Sequence, residues 1–157
     1  MAKRNAPLQS VFKLTPEFEL LLSQLYDELD DELKNLGATC NACGKCCHFK
    51  DFDHELWLTE PELAFLFSKN GIKTPVDDNT CPYLKDGNCT AREGRTLGCR
   101  IFHCMSNAEV LEDLFAKYLE KIRTLAKEVG FECGYGELMA SLRSASGRIK
   151  SVDQPIN

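Results

Sequence analysis

The sequence predicts a mainly α-helical chain, in which two long amphipathic helices and some short ones frame irregular cysteine-rich, metal-binding loops. Three observations carry this. Two apolar stripes recur at helical spacing, one near each end of the chain, each between helix-starting and helix-stopping residues. Eight of the nine cysteines fall in two bursts between those stripes. The stretch that holds the second burst is broken up by Pro and Gly.

The first element spans residues 15 to 37. Thr15 is placed to cap it, Pro16 takes the first helical position, and Gly37 ends it. Phe18, Leu21, Leu22, Leu25, Leu29, Leu33 and Leu36 form its stripe, and Asp27, Glu28, Asp30, Asp31 and Glu32 read as a solvated face, since no His accompanies them at ligand spacing. The first burst follows at once: Cys40, Cys43, Cys46 and Cys47, with Gly44 allowing a sharp turn between them. Residues 49 to 58 are rich in aromatic and apolar side chains and read as a short strand or an extended wrap over the cysteines. Thr59 and Glu62 make a capping box that opens a short helix, stopped by Asn70 and Gly71.

Residues 72 to 106 show no long element, and Cys81, Cys89, Cys99 and Cys104 lie among them. So long a loop inside one domain needs something to order it, and a bound metal does this. Ser106 and Glu109 form a second capping box for a helix to about Val129, with a stripe of Val110, Leu111, Leu114, Phe115, Tyr118, Leu119, Ile122 and Leu125 and a stop at Gly130. A last short helix is predicted over 136 to 142. The chain thus divides into a helix at 15–37, a cysteine-cluster region at 38–106, a helical region at 107–143 and a loose tail at 144–157, all in one domain of 157 residues.

Hydrophobic content of 43% and charged content of 27% are those of a soluble globular protein. A net charge of −5 gives no reason to expect nucleic-acid binding. No run approaches the roughly 18 apolar residues of a membrane span, and the first residues lack the apolar stretch of a secretory signal. The expected compartment is a reducing cytoplasm, where clustered cysteines bind metal rather than form disulfides.

Four thiols within eight residues would repel one another once ionised, and a cation relieves that repulsion. The candidate ligands are Cys40, Cys43, Cys46, Cys47, Cys81, Cys89, Cys99 and Cys104. Cys40, Cys43 and Cys46, spaced by two residues each, match the run with which ferredoxins hold three corners of an iron–sulfur cluster, and Cys81 precedes a Pro as their fourth ligand does. A [4Fe-4S] cluster is therefore favoured. Zinc is the alternative, because Cys40 to Gly44 also fits a zinc hook. Arg95 and Arg100 flank the ligands and are expected to donate hydrogen bonds to sulfur and tune the metal. His48 and His103 adjoin ligands but are surplus to them, His54 has no special claim, and Cys133 lies outside both bursts. Cys99 and His103 lack the third partner and oxyanion site of a nucleophilic pair.

Taken together, Cys40, Cys43, Gly44, Cys46 and Cys47, then Cys81, Pro82, Leu84, Gly87 and Cys89, then Arg95, Cys99, Arg100 and Phe102 resemble the YkgJ-like CxxCxxCC cysteine-cluster family of bacteria, described as a zinc- or iron-chelating domain. The likeness covers about residues 40 to 104. Thr96 stands where the family commonly has Pro after the arginine, which removes a stiff turn but no ligand. Cys104 lies where some members carry a further cysteine. The resemblance implies metal binding; flagellin lysine methylases carry a similar region, so it also implies an association with methyl transfer. No catalytic motif and no Gly-x-Gly-x-x-Gly nucleotide loop accompanies it. The sequence thus points to electron transfer or redox sensing with an unidentified protein partner, or to a zinc module without catalysis.

Overall fold

Thr15 lies in extended backbone and its hydroxyl accepts the Phe18 N–H, so the chain enters α1, Pro16–Asn35, through a satisfied cap. The computed structural model describes residues 13–38, 40, 44–102 and 108–152, with side chains as far as 147. Among these the protein is mainly helical, with little sheet. After α1 come a single 3-10 turn, Lys45–Cys47; a strand, β1, Trp57–Thr59; α2, Glu60–Asn70; a hairpin of β2, Leu84–Lys85, and β3, Asn88–Cys89; α3, Leu97–Ile101; α4, Ala108–Glu128; β4, Tyr135–Glu137; and α5, Leu138–Val152. The Ser106 cap expected for α4 lies outside the described residues.

Two cores form, with α2 between them. Phe18, Leu22, Leu29 and Leu33 of α1 pack with Leu97 and Ile101 of α3 and with Leu111, Leu114, Tyr118 and Ile122 of α4. The second core joins Cys47, Phe49, Leu56, Leu58, Cys81 and Tyr83 to Leu138, Met139, Leu142 and Ala145. Helix α2 gives Phe65 to the first core and Leu63, Leu66 and Phe67 to the second. It is accordingly apolar around its circumference, as a helix covered on both sides must be.

The acidic face of α1 is not simply solvated. Lys117 and Tyr118 both reach Glu32, Lys121 reaches Glu28, and Arg100 pairs with Asp30. Because Glu28 meets Lys121 while Glu32 meets Lys117, α1 and α4 run antiparallel, and the carboxylates clamp α1 to its neighbours.

The capping box that opens α2 reaches further than its own helix. The Glu62 carboxylate is buried, accepts from the Thr59 N–H and hydroxyl, and with its second oxygen accepts the Leu97 N–H at 2.7 Å. One carboxylate thus closes α2 and starts α3. Burial pushes its pKa up, while these donors work against the rise.

Two expectations at the C-terminal end are corrected. Residues 135–137 form strand β4, antiparallel to β1 with Leu58 opposite Gly136, rather than the start of a helix. The expected loose tail from 144 is helical to Val152. The Glu137 carboxylate caps α5 by accepting the Met139 and Ala140 N–H groups. Ala145 and Ser146 are buried, and Ser146 accepts a hydrogen bond from Thr74. Small residues that read as a tail are small because they dock against loop 72–80.

Candidate metal centre

The two cysteine bursts meet through backbone pairing that is remote in sequence. Residues 47 to 50 lie alongside 79 to 81: the Cys81 N–H donates to the Cys47 carbonyl at 2.8 Å, His48 bridges to Thr80, and the Phe49 N–H donates to the Asn79 carbonyl. This places Cys81 beside Cys47. Cys89 arrives by the hairpin, where Leu84 faces Cys89 and Lys85 faces Asn88. Asp86 and Gly87 both take positive φ, 52° and 77°, as a two-residue hairpin turn requires. This Asp-Gly signal marks a regular element that the reading of 72–106 missed, as it also missed α3.

Gly44 locks the arrangement. Its φ is +74°, and a Cβ there would stand 2.7 Å from the Gly87 carbonyl oxygen. Only a glycine allows both the turn and the close approach of the hairpin.

The result is a four-sulfur group. The Cys47 thiol hydrogen-bonds with Cys46, Cys81 and Cys89. Those bonds hold Cys46 and Cys89 each down to about 6 and also lower Cys81. Cys47 moves the other way, because the neighbouring sulfurs of Cys46, Cys81 and Cys89, together with burial, disfavour its thiolate. Each ionised sulfur raises its neighbours, so full ionisation of the set needs a cation at its centre. Cys46, Cys47, Cys81, Cys89, Cys99 and Cys133 are all free thiols.

These four sulfurs stand in the wall of a cavity of about 400 Å³. Cys40 and Cys99 line the same cavity. Burial pushes Cys99 up to about 12, so it is a neutral thiol as it stands. Phe49, Leu56 and Leu138 make the lining largely apolar. Among the described residues, no three Cys, His, Asp or Glu side chains stand as a ready-made cage for one ion. The chemistry of the donors nevertheless suits a soft metal or a cluster: several thiols, little competing oxygen and an apolar surround. Cys43, His103 and Cys104 lie outside the described residues.

The other candidates divide. Arg95 lines the cavity, and together with Arg92 it favours the ionised Cys89. Arg100 makes no hydrogen bond to a sulfur among the described residues. Its Nη1 donates to Asp30 at 2.8 Å, its Nε and Nη2 donate to the Arg95 and Glu93 carbonyls, and its guanidinium covers the Tyr26 ring at 4.1 Å. It ties α3 to α1, because α3 turns its side chain away from the cysteines and into the first core. His54, which lacked any ligand spacing, lies on the cavity wall; its Nε2 donates to the Cys46 carbonyl at 2.9 Å. His48 lies beside Asp51, with Nδ1 3.9 Å from a carboxylate oxygen. Cys133 sits near Glu60 and Thr59, apart from the cavity, and burial raises its pKa.

No family model, characterised protein or solved structure matches this chain. Among the described residues, no helix is long and apolar enough to cross a membrane.

Proposed function

We propose that this chain is a cytoplasmic metal-binding protein that holds an iron–sulfur cluster through cysteine thiolates and serves electron transfer or redox sensing. The reading that two long amphipathic helices act as the mounting for the cysteine loops belongs to this proposal, as does the kinship with the YkgJ-like family. The observation that carries it is the convergence of six cysteines from four separate segments on one apolar cavity of about 400 Å³. A core of several iron and sulfide atoms needs such room, and a single ion does not.

In this reading Cys46, Cys47, Cys81 and Cys89 hold the centre, with Cys40 and Cys99 within the same wall. When bound, such a centre supplies one-electron redox chemistry. Arg95 offsets the negative charge of the ligands. His54 fixes the backbone at Cys46, so that the ligand stands where the fold puts it. Phe49, Leu56 and Leu138 keep water from the sulfurs, which raises the weight of every nearby charge.

A second reading, a zinc module without catalysis, keeps the same thiol donors, because Cys40 to Gly44 also fits a zinc hook. Anaerobic purification followed by iron, zinc and acid-labile sulfide analysis separates the two. Iron with sulfide and a visible absorption band is expected, and Cys47→Ser is expected to lose the metal while Cys133→Ser retains it. A colourless protein with stoichiometric zinc and no sulfide ends the iron–sulfur reading. A protein with neither metal ends both.

A further inference from the structure

Six basic side chains among the described residues meet a carboxylate. Lys50 and Arg143 meet Asp78, Lys69 meets Glu19, Arg100 meets Asp30, Lys117 meets Glu32 and Lys121 meets Glu28. Among those that do not, three are gathered at the mouth of the cysteine cavity. Lys45, Arg92 and Arg95 line it, and among the described residues none of the three is in an ion pair with a carboxylate. Lys45 and Arg92 are exposed. Among the described residues the one carboxylate on the same lining, Glu55, accepts from the Trp57 indole N–H.

Two aromatic side chains complete the rim. Phe52 and Phe102 line the cavity, yet 53% and 43% of their surfaces remain exposed. Phe102 also rests on Phe115, with ring centroids 5.1 Å apart. Large, partly exposed apolar groups beside cations that meet no carboxylate are the usual makings of a docking surface: an apolar centre that loses water on contact, and charges that steer and orient the approach.

We propose that this mouth docks an acidic protein, whose carboxylates pair with Lys45, Arg92 and Arg95 around a contact with Phe52 and Phe102. As the route by which electrons reach or leave the centre, this inference rests on the metal reading above; as a surface, it is read directly from charge and exposure. Charge selects the occupant. Three cations grouped around an apolar opening fit a compact acidic spot, whereas nucleic acid requires a longer basic track and would meet the excess carboxylates of a chain with net charge −5.

The test uses the purified full-length protein with three probes: a short glutamate peptide with a central phenylalanine, the matching lysine peptide, and a mixed-sequence oligonucleotide. At low salt the glutamate peptide is expected to bind about tenfold tighter than the lysine peptide, with the preference fading as salt rises. In Lys45→Glu/Arg92→Glu the preference inverts, an outcome that a merely structural role for these residues does not produce. In Lys45→Gln/Arg92→Gln it is lost without inversion, and this milder pair decides the matter if the charge reversal fails to fold by circular dichroism. Equal binding of the two peptides, a preference unmoved by the substitutions, or tighter binding of the oligonucleotide overturns the proposal. Metal analysis of the same samples keeps the two readings apart. A sample without iron or zinc defeats the metal reading while the peptide preference is still measured. A loaded sample without preference defeats the docking surface alone.

Discussion

Gly44 and Gly87 have nearly the same backbone, φ +74° and +77°, but different surroundings. A Cβ on Gly87 would meet nothing within 4 Å, while one on Gly44 would press on the Gly87 carbonyl at 2.7 Å and on Leu84 at 3.0 Å. Gly87→Ala therefore carries only the left-handed strain, about 1–2 kcal/mol. Gly44→Ala adds a backbone collision that the hairpin must relieve by moving, and is expected to cost about 2–4 kcal/mol in total. Urea denaturation of both variants checks this. Equal losses would mean that the hairpin does not lean on the first cysteine loop. At this scale the sequence was a mixed guide. Gly44 stood out as a turn residue, since a glycine amid ligands has few other uses. Arg100 hydrogen-bonds Asp30 and two carbonyls, which its adjacency to Cys99 did not signal, because adjacency says nothing about which side of a short helix a side chain leaves from. His54 was passed over, because only the folded loop 49–54 brings its ring under Cys46.

Between elements, the α1–α4 contact offers a pH signature clear of the cysteines. Hydrogen bonds from Lys117 and Tyr118 hold the Glu32 carboxyl below its ordinary value of 4.5. A depressed carboxyl adds stability above that value, and loses it as the pH falls through the lower one. The Glu32 side chain is 35% exposed, so water screens the pair and the effect stays modest. Glu32→Gln is expected to destabilise the protein by about 0.5–1 kcal/mol at neutral pH, and the gap from wild type should close below pH 4.5. Thermal melts of both proteins across pH 3 to 7 measure it; a gap that persists in acid refutes the ionic clamp. The same elements show how local signals fare. Thr15 with Pro16, and Thr59 with Glu62, marked the starts of α1 and α2, because a cap satisfies its own helix within three residues. β4 and the length of α5 beyond residue 142 were missed because their reasons are distant: β4 exists through pairing with β1, and α5 is held by Thr74 and Asp78.

Across the whole molecule, the two cores differ in what sustains them. The first is apolar helix packing, clamped by ion pairs. The second includes Cys47 and Cys81 themselves and is closed by segments with little regular structure. If the chain holds the proposed metal, its removal is expected to loosen residues 44–102 while α1 and α4 keep their helical signal. Hydrogen exchange on loaded and chelated protein tests this, with protection lost around Cys47, Cys81 and Cys89 and kept around Leu22 and Tyr118. Uniform loss across the chain would show that the cores stand or fall as one, and no loss at all would show that the loops need no metal.

By itself the sequence determined the helical character of this protein, two of its helix starts and the abundance of thiols between its long helices, since caps, periodicity and composition are written within a few neighbouring residues. Which sulfurs gather on one cavity, and that Arg100 pairs with Asp30, was decided only in three dimensions. The pairing of 47–50 with 79–81 joins segments some thirty residues apart, and no local spacing encodes a contact whose free energy comes from burying both partners in the same core.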